Sequence, residues 1–232
     1  MTKLKPNKER AKNAIVLLWI ALAASVLLLV FEAYTYKILL DVDAGMYLDP
    51  ESAEMYLIIA GATSVVYTLV FLLSAIFFIM WFRRAYFNLH LLVSNKLRYS
   101  EGWAAGAWFI PIFNLFGPYN IATDLHTYTE TMLLDKGLIE PDPKRIQIKN
   151  AWWALWIIGS ILGNIGSRMD DKMVNEGAVI AIIASVITIG AGLLAIKMIK
   201  NYSQMEELLP QLEDVSNTPD IVGDSDILDA GM

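Results

Sequence analysis

Four stretches of the chain are apolar at nearly every position, and the polar residues gather between them. They run over about 13–40, 55–82, 151–167 and 177–199. A hydrocarbon core of about 30 Å takes roughly 20 apolar residues of helix, so each stretch predicts a membrane-crossing helix, the third being the shortest. The second holds no charged residue at all. The third opens with Trp152, Trp153 and Trp156, amphipathic rings suited to the boundary between lipid and water. Lys197, near the end of the fourth, is placed to extend its ammonium toward the interface.

The pattern between the second and third stretches is different. Tyr86, Leu89, Val93 and Leu97 recur at helical spacing, which predicts an amphipathic helix over 83–99, an extension of the second span that is expected to bend because a straight helix over 55–99 would run roughly 65 Å. Ile121, Leu125, Tyr128 and Met132 predict another over 120–134, stopped at Gly137. Between them, 102–119 is uncharged and apolar, yet Gly102, Gly106, Pro111, Gly117 and Pro118 interrupt it. Pro111 lacks a backbone donor and clashes with the preceding turn, so no straight helix passes through it. Irregular backbone at membrane depth persists only where protein buries it or water lines it. The segment is therefore expected to be re-entrant or interfacial, and it is the leading place for a binding site.

Composition supports a membrane protein: 56% of the 232 residues are hydrophobic and 18% charged. Cysteine is absent, which removes disulfides, thiolate metal sites and cysteine nucleophiles. The net charge of −6 matters less than where the charges fall. Lys3, Lys5, Lys8, Arg10 and Lys12 precede a first span too long for a signal peptide, so it is read as uncleaved. The loop 41–54 carries five acids and no base. Four spans with both termini cytoplasmic put 15 basic residues inside and two, Arg168 and Lys172, outside. Counting 102–119 as a fifth span would reduce that split to 11 against six. Residues 201–232 are acidic, with no base after Lys200 and no aromatic after Tyr202, and predict a disordered tail available to a protein partner. Residues 1–200 form the membrane domain, and the expected fold is all-α: a four-span bundle with the broken segment and amphipathic helices over its cytoplasmic face.

Three motifs resemble one known family. They are Trp81-Phe82-Arg83-Arg84-Ala85-Tyr86-Phe87-Asn88-Leu89, then Leu97 to Trp103 continuing to Asn114-Leu115-Phe116-Gly117-Pro118-Tyr119, and Trp152-Trp153-Ala154-Leu155-Trp156. Over roughly 55–200 the chain resembles the bacterial multi-pass membrane family called domain of unknown function 4328. The family's usual Glu-Leu-Trp stands here as Asp124-Leu125-His126. The resemblance implies a bacterial inner (cytoplasmic) membrane protein and supplies no activity or cofactor.

Candidate chemistry is sparse. Arg83, Arg84 and Arg98 flank the aromatic segment, and guanidinium groups there suit a lipid phosphate with chains lying along Trp103 and Trp108. Asn88, Pro111, Asn114 and Tyr119 complete the expected ligand-binding set, with Asn114 placed to bond carbonyls freed by the proline. The leading function is a non-enzymatic protein binding a membrane lipid or other amphiphile. One alternative is an interfacial or intramembrane enzyme using Asp124, His126 and Glu130, with His90 from the preceding helix. His126 and Glu130, four apart on one helix face, are also the weak metal candidates. The other alternative is a small transporter or membrane-complex subunit gated by 102–119. Glu32 and Lys37 lie late in the first span, where snorkelling to the outer interface is expected. No cofactor is predicted, and the basic residues are too few and too membrane-tied for nucleic acid.

Overall fold

Apolar runs too long for a globular core fold here as uninterrupted helices. A computed structural model describes residues 4–169 and 173–212. Its helices are α1 (Lys8–Asp43), α2 (Pro50–Val93), α3 (Trp103–Gly106), α4 (Gly117–Asp135), α5 (Pro143–Gly166) and α6 (Val174–Glu206). The described residues contain no strand. Among the described residues three helices, α1, α2 and α6, are long and apolar enough to cross a membrane. The third predicted span lies in α5, which falls short of that measure because its first two turns carry Lys144, Arg145, Gln147, Lys149 and Asn150.

The helices form two antiparallel hairpins, α1 with α2 and α5 with α6, joined by extensive packing of α1 on α6. Gly45, at φ 93°, makes the turn out of α1, and the Asp49 side chain caps α2 by accepting from the Ser52 N–H at 2.9 Å. At the far end of the other hairpin, glycines bring backbones together: a Cβ on Gly166 would stand 3.2 Å from the Gly177 carbonyl oxygen.

Burial is uneven along the bundle. Trp81, Phe82, Tyr86 and Leu89 of α2 pack with Ile121, Leu125 and Leu133 of α4, with Ile199 and Tyr202 of α6, and with Ala11 and Ala14 of α1. All of these lie at the end where α1 starts and α6 finishes. Toward the other end large apolar side chains stand uncovered, among them Leu27 (70% exposed), Leu57 (67%) and Val30 (64%). A protein folded in water does not leave so continuous an apolar belt, and lipid is the solvent that suits it.

The predicted extension of the second span is present: α2 runs unbroken to Val93 and a 3-10 turn follows at Ser94–Lys96. The predicted 120–134 helix is α4. The broken segment contains only the short α3 and a 3-10 turn at Phe113–Leu115. The acidic tail was expected from residue 201, but α6 continues to Glu206, and Tyr202, Met205 and Leu209 are buried. Those three apolar side chains keep the chain docked beyond the last basic residue; the remainder of the expected tail, 213–232, lies outside the described residues, as do Lys3 and Lys172.

A polar knot fastens the start of the chain to this end. The Lys5 N–H donates to Asn88 Oδ1 (3.0 Å), and Asn88 Nδ2 donates to the Lys5 carbonyl (2.9 Å) and to Glu206 Oε1 (2.8 Å). Asn7 Nδ2 donates to the other oxygen of Glu206 at 2.9 Å. Buried amides and a carboxylate thus bond one another across the start of the chain, α2 and α6, with Asn7 Oδ1 left without a partner among the described residues.

Candidate functional site

Fully buried Ala104 and Ala107 let the broken segment lie close against the helix bundle. Pro111 ends any helical run, and the Asn114 N–H then donates to the Ile110 carbonyl at 2.7 Å, tightening the chain into the 3-10 turn. Gly117 and Pro118 start α4; a Cβ on Gly117 would overlap the Phe113 ring, which Tyr99, Trp103 and Phe116 also surround. Trp153 Nε1 donates to the Leu115 carbonyl at 3.3 Å and pins the segment to α5.

Beneath the segment is a cavity of about 320 Å³. Trp108, Phe109 and Asn114 form one wall; α1, α2, α5 and α6 supply the others, with Phe71, Phe78, Trp152 and Trp156 among them. The rings make two aromatic patches: Phe78 meets Trp108 edge-on at 5.5 Å between centroids and lies 5.9 Å from Trp152, and Phe71 stacks on Trp156 at 6.1 Å. Among the described residues no charged side chain lines the cavity. Two polar atoms on its lining residues are buried with no hydrogen-bond partner among the described residues: Trp108 Nε1, a donor, and Asn114 Oδ1, an acceptor. Such groups are rare in folded proteins because each is costly to leave unmade.

Of the nine ligand-binding residues expected from sequence, Trp108 and Asn114 line this cavity and the others stand elsewhere. Asn114 leaves its Oδ1 free, and the backbone N–H makes the bond at the proline break. Arg83 pairs with Glu101 at 3.6 Å on the surface, and Arg84 lies over the Phe87 ring at 5.8 Å. Asn88 belongs to the knot with Lys5 and Glu206. Trp103 packs on Phe113 at 4.6 Å, Pro111 is exposed, and Tyr119 donates to Asn150 Oδ1 at 3.1 Å.

Arg98 belongs to a second polar group inside the cap that the broken segment and α4 make over this end of the bundle. Its Nε lies 3.3 Å from Asp124 Oδ1, and its NH1 donates to Asn120 Oδ1 at 3.1 Å. Asp124 is buried, and burial raises its carboxyl above the usual range while the Arg98 N–H and guanidinium draw it back. Lys149 is buried nearby: its Nζ donates to Thr123 Oγ1 at 2.6 Å and sits 4.2 Å over the Tyr119 ring. Burial, and then the Arg98 charge, push its ammonium down to about 8. The sequence reading did not single out Lys149. Its place three and four residues before Trp152 and Trp153, on the same helix face, is the pattern that marks it as inward-facing.

The residues of the enzyme alternative do not converge. Glu130 takes Arg145 at 2.8 Å, Asp124 takes Arg98, and His126 Nδ1 donates to the Ala122 carbonyl at 3.0 Å. Burial lowers the His126 imidazolium to about 4, so the ring is neutral near pH 7. His90 donates to the Tyr99 carbonyl at 3.1 Å, which the Tyr86 hydroxyl also reaches, and its ring is edge-on to Tyr86. Among the described residues no three His, Cys, Asp or Glu side chains gather as a metal site would need.

No curated protein and no solved structure matches the chain. A family model described as Domain of unknown function (DUF4328) matches residues 44–204, well over half of the sequence, and the chain belongs to that family.

Proposed function

We propose that this is a non-enzymatic, multi-pass protein of a bacterial cytoplasmic membrane that binds a lipid or similar amphiphile in the aromatic cavity. In this reading α1, α2, α5 and α6 all cross the bilayer and both termini are cytoplasmic. The close approach of Gly166 to Gly177 supports α5 as the fourth span, since it keeps the apolar part of α5 beside α6. The 15-to-two distribution of basic residues supports the orientation. The broken segment and α4 then cover the cytoplasmic end, with exposed Phe109 and Ile112 available to the headgroup layer. The acidic tail is a secondary contact for a protein partner.

The observation that carries the reading is an apolar cavity, uncharged among the described residues, two of whose lining residues, Trp108 and Asn114, each keep one buried polar atom without a hydrogen-bond partner. A hydrocarbon chain suits the aromatic walls. A head that both accepts from Trp108 Nε1 and donates to Asn114 Oδ1 recovers two hydrogen bonds, each worth about 1 kcal/mol. The arginines stand outside the cavity, so the head is neutral, a hydroxyl or amide rather than a phosphate held by guanidinium.

Native mass spectrometry from mild detergent tests this. The wild type should retain a lipid-sized adduct. Trp108→Phe keeps the ring and loses the donor, Asn114→Leu keeps the volume and loses the acceptor, and each should lower retention by roughly fivefold to tenfold. Equal retention in all three proteins would sink the proposal. Metal analysis of the same sample checks the enzyme alternative, which a stoichiometric metal would revive.

A further inference from the structure

The aromatic cavity continues into another. Ser25, Tyr67 and Thr188 line both it and a second cavity of about 520 Å³, bounded mainly by α1, α5 and α6 toward the end of the bundle away from the cap. Small residues are prominent in its walls: Gly159, Gly163, Gly166 and Gly177 line it, and a Cβ on Gly163 would meet nothing within 4 Å. This volume is of the order that takes a small organic molecule, and far more than a bare ion fills.

Glu32 lines this second cavity. It is the only charged residue between Lys12 and Lys37, and it lies 11 residues before the end of α1 at Asp43, roughly 16 Å along the axis. Snorkelling to the outer interface, expected from the sequence, is not what it does: it faces the bundle, and Oε2 is buried without a hydrogen-bond partner among the described residues. Ser185 stands beside the carboxylate. The described basic residues on this half are accounted for elsewhere. Lys37 pairs with Asp41 at 2.8 Å on the surface, and Arg168 is exposed past the end of α5.

Ionisable groups at membrane depth face an interior, pair with a partner, and mark binding paths. Here the interior is present and the protein supplies no cationic partner among the described residues. The volume, with apolar and small residues making most of its walls, favours an organic cation over a hydrated metal ion. The apolar belt around this half of the bundle gives a lipophilic molecule access from the membrane.

We propose that the second cavity is a binding site for a lipophilic organic cation, with the Glu32 carboxylate as its counter-ion and Ser185 beside it. The site is separate from the neutral head site at Trp108 and Asn114, and either can exist without the other.

Tetraphenylphosphonium is the test probe and triphenylphosphine oxide its neutral counterpart, both measured by equilibrium dialysis against the full-length protein in mild detergent. The wild type should bind the cation saturably and the oxide at least tenfold more weakly. Glu32→Gln, which keeps the shape and removes the charge, should lose at least tenfold in affinity for the cation and leave the oxide unchanged. Glu32→Asp, which keeps the charge, should retain most of the binding, and Asp41→Asn, a surface acid, all of it. Thermal melting of each variant confirms folding. Absence of saturable cation binding to the wild type overturns the proposal, and so does equal affinity in the wild type and Glu32→Gln. Trp108→Phe should not change cation binding, so failure here is distinct from failure of the amphiphile site.

Discussion

His126 shows what the cap does to a single residue. Its ring is buried beside the Tyr202 side chain of α6, 5.5 Å between centroids, and among the described residues only Nδ1 has a partner. Burial lowers its imidazolium from 6.5 to about 4, so between those values the unfolded chain binds the proton that the folded chain refuses. Stability therefore falls as pH drops through that window and is independent of this group above it. His126→Phe, which fills the site without titrating, should flatten the acid limb of the melting temperature between about pH 6.5 and 4. An unaltered acid limb in that variant would show that other groups carry it. From sequence, His126 and Glu130 look like neighbours on one face; their separate partners, Ala122 and Arg145, are visible only in the fold. Asn88 teaches the same lesson, since a polar residue in an apolar run reads equally well as a ligand contact or as a clamp. The distant partners Lys5 and Glu206 decide for the clamp.

At the scale of elements, the α5–α6 hairpin depends on small residues more than on hydrophobicity. In lipid, apolar side chains gain nothing from leaving one solvent for the other, so close backbone contact supplies the association. Gly166 and Gly177 provide it at the end of the hairpin, and Gly159 provides it opposite Thr188, where a Cβ would stand 2.9 Å from Oγ1. Gly166→Leu should force the helices apart and cost about 2–3 kcal/mol, read as a lowered melting temperature in detergent. The same substitution at Gly61, where a Cβ meets nothing within 4 Å, should be nearly silent. The helices, their approximate ends and the break at Pro111 were legible in the sequence because hydrophobic runs and proline act locally. The continuation of α6 past residue 201 was not, because Tyr202, Met205 and Leu209 are sparse apolar residues whose burial depends on α2 and α4.

For the whole molecule, topology is the property that organises everything else. The Cys-free chain allows single cysteines to be labelled without background. In intact cells a membrane-impermeant maleimide should modify Tyr47→Cys, in the α1–α2 turn, and leave Lys136→Cys and Gln204→Cys unmodified. Labelling at Gln204→Cys from outside would mean that α5 does not cross, and the bundle would have three spans. Membrane character and helical class follow from hydropathy and charge summed along the chain, quantities that need no knowledge of which residues meet. Helix hydrogen bonds close within four residues, so these features survive any tertiary arrangement. The cavities, the free Trp108 and Asn114 groups and the inward turn of Glu32 belong to the packed bundle alone. Each depends on side chains from helices more than a hundred residues apart arriving at one place, and no local pattern encodes that meeting.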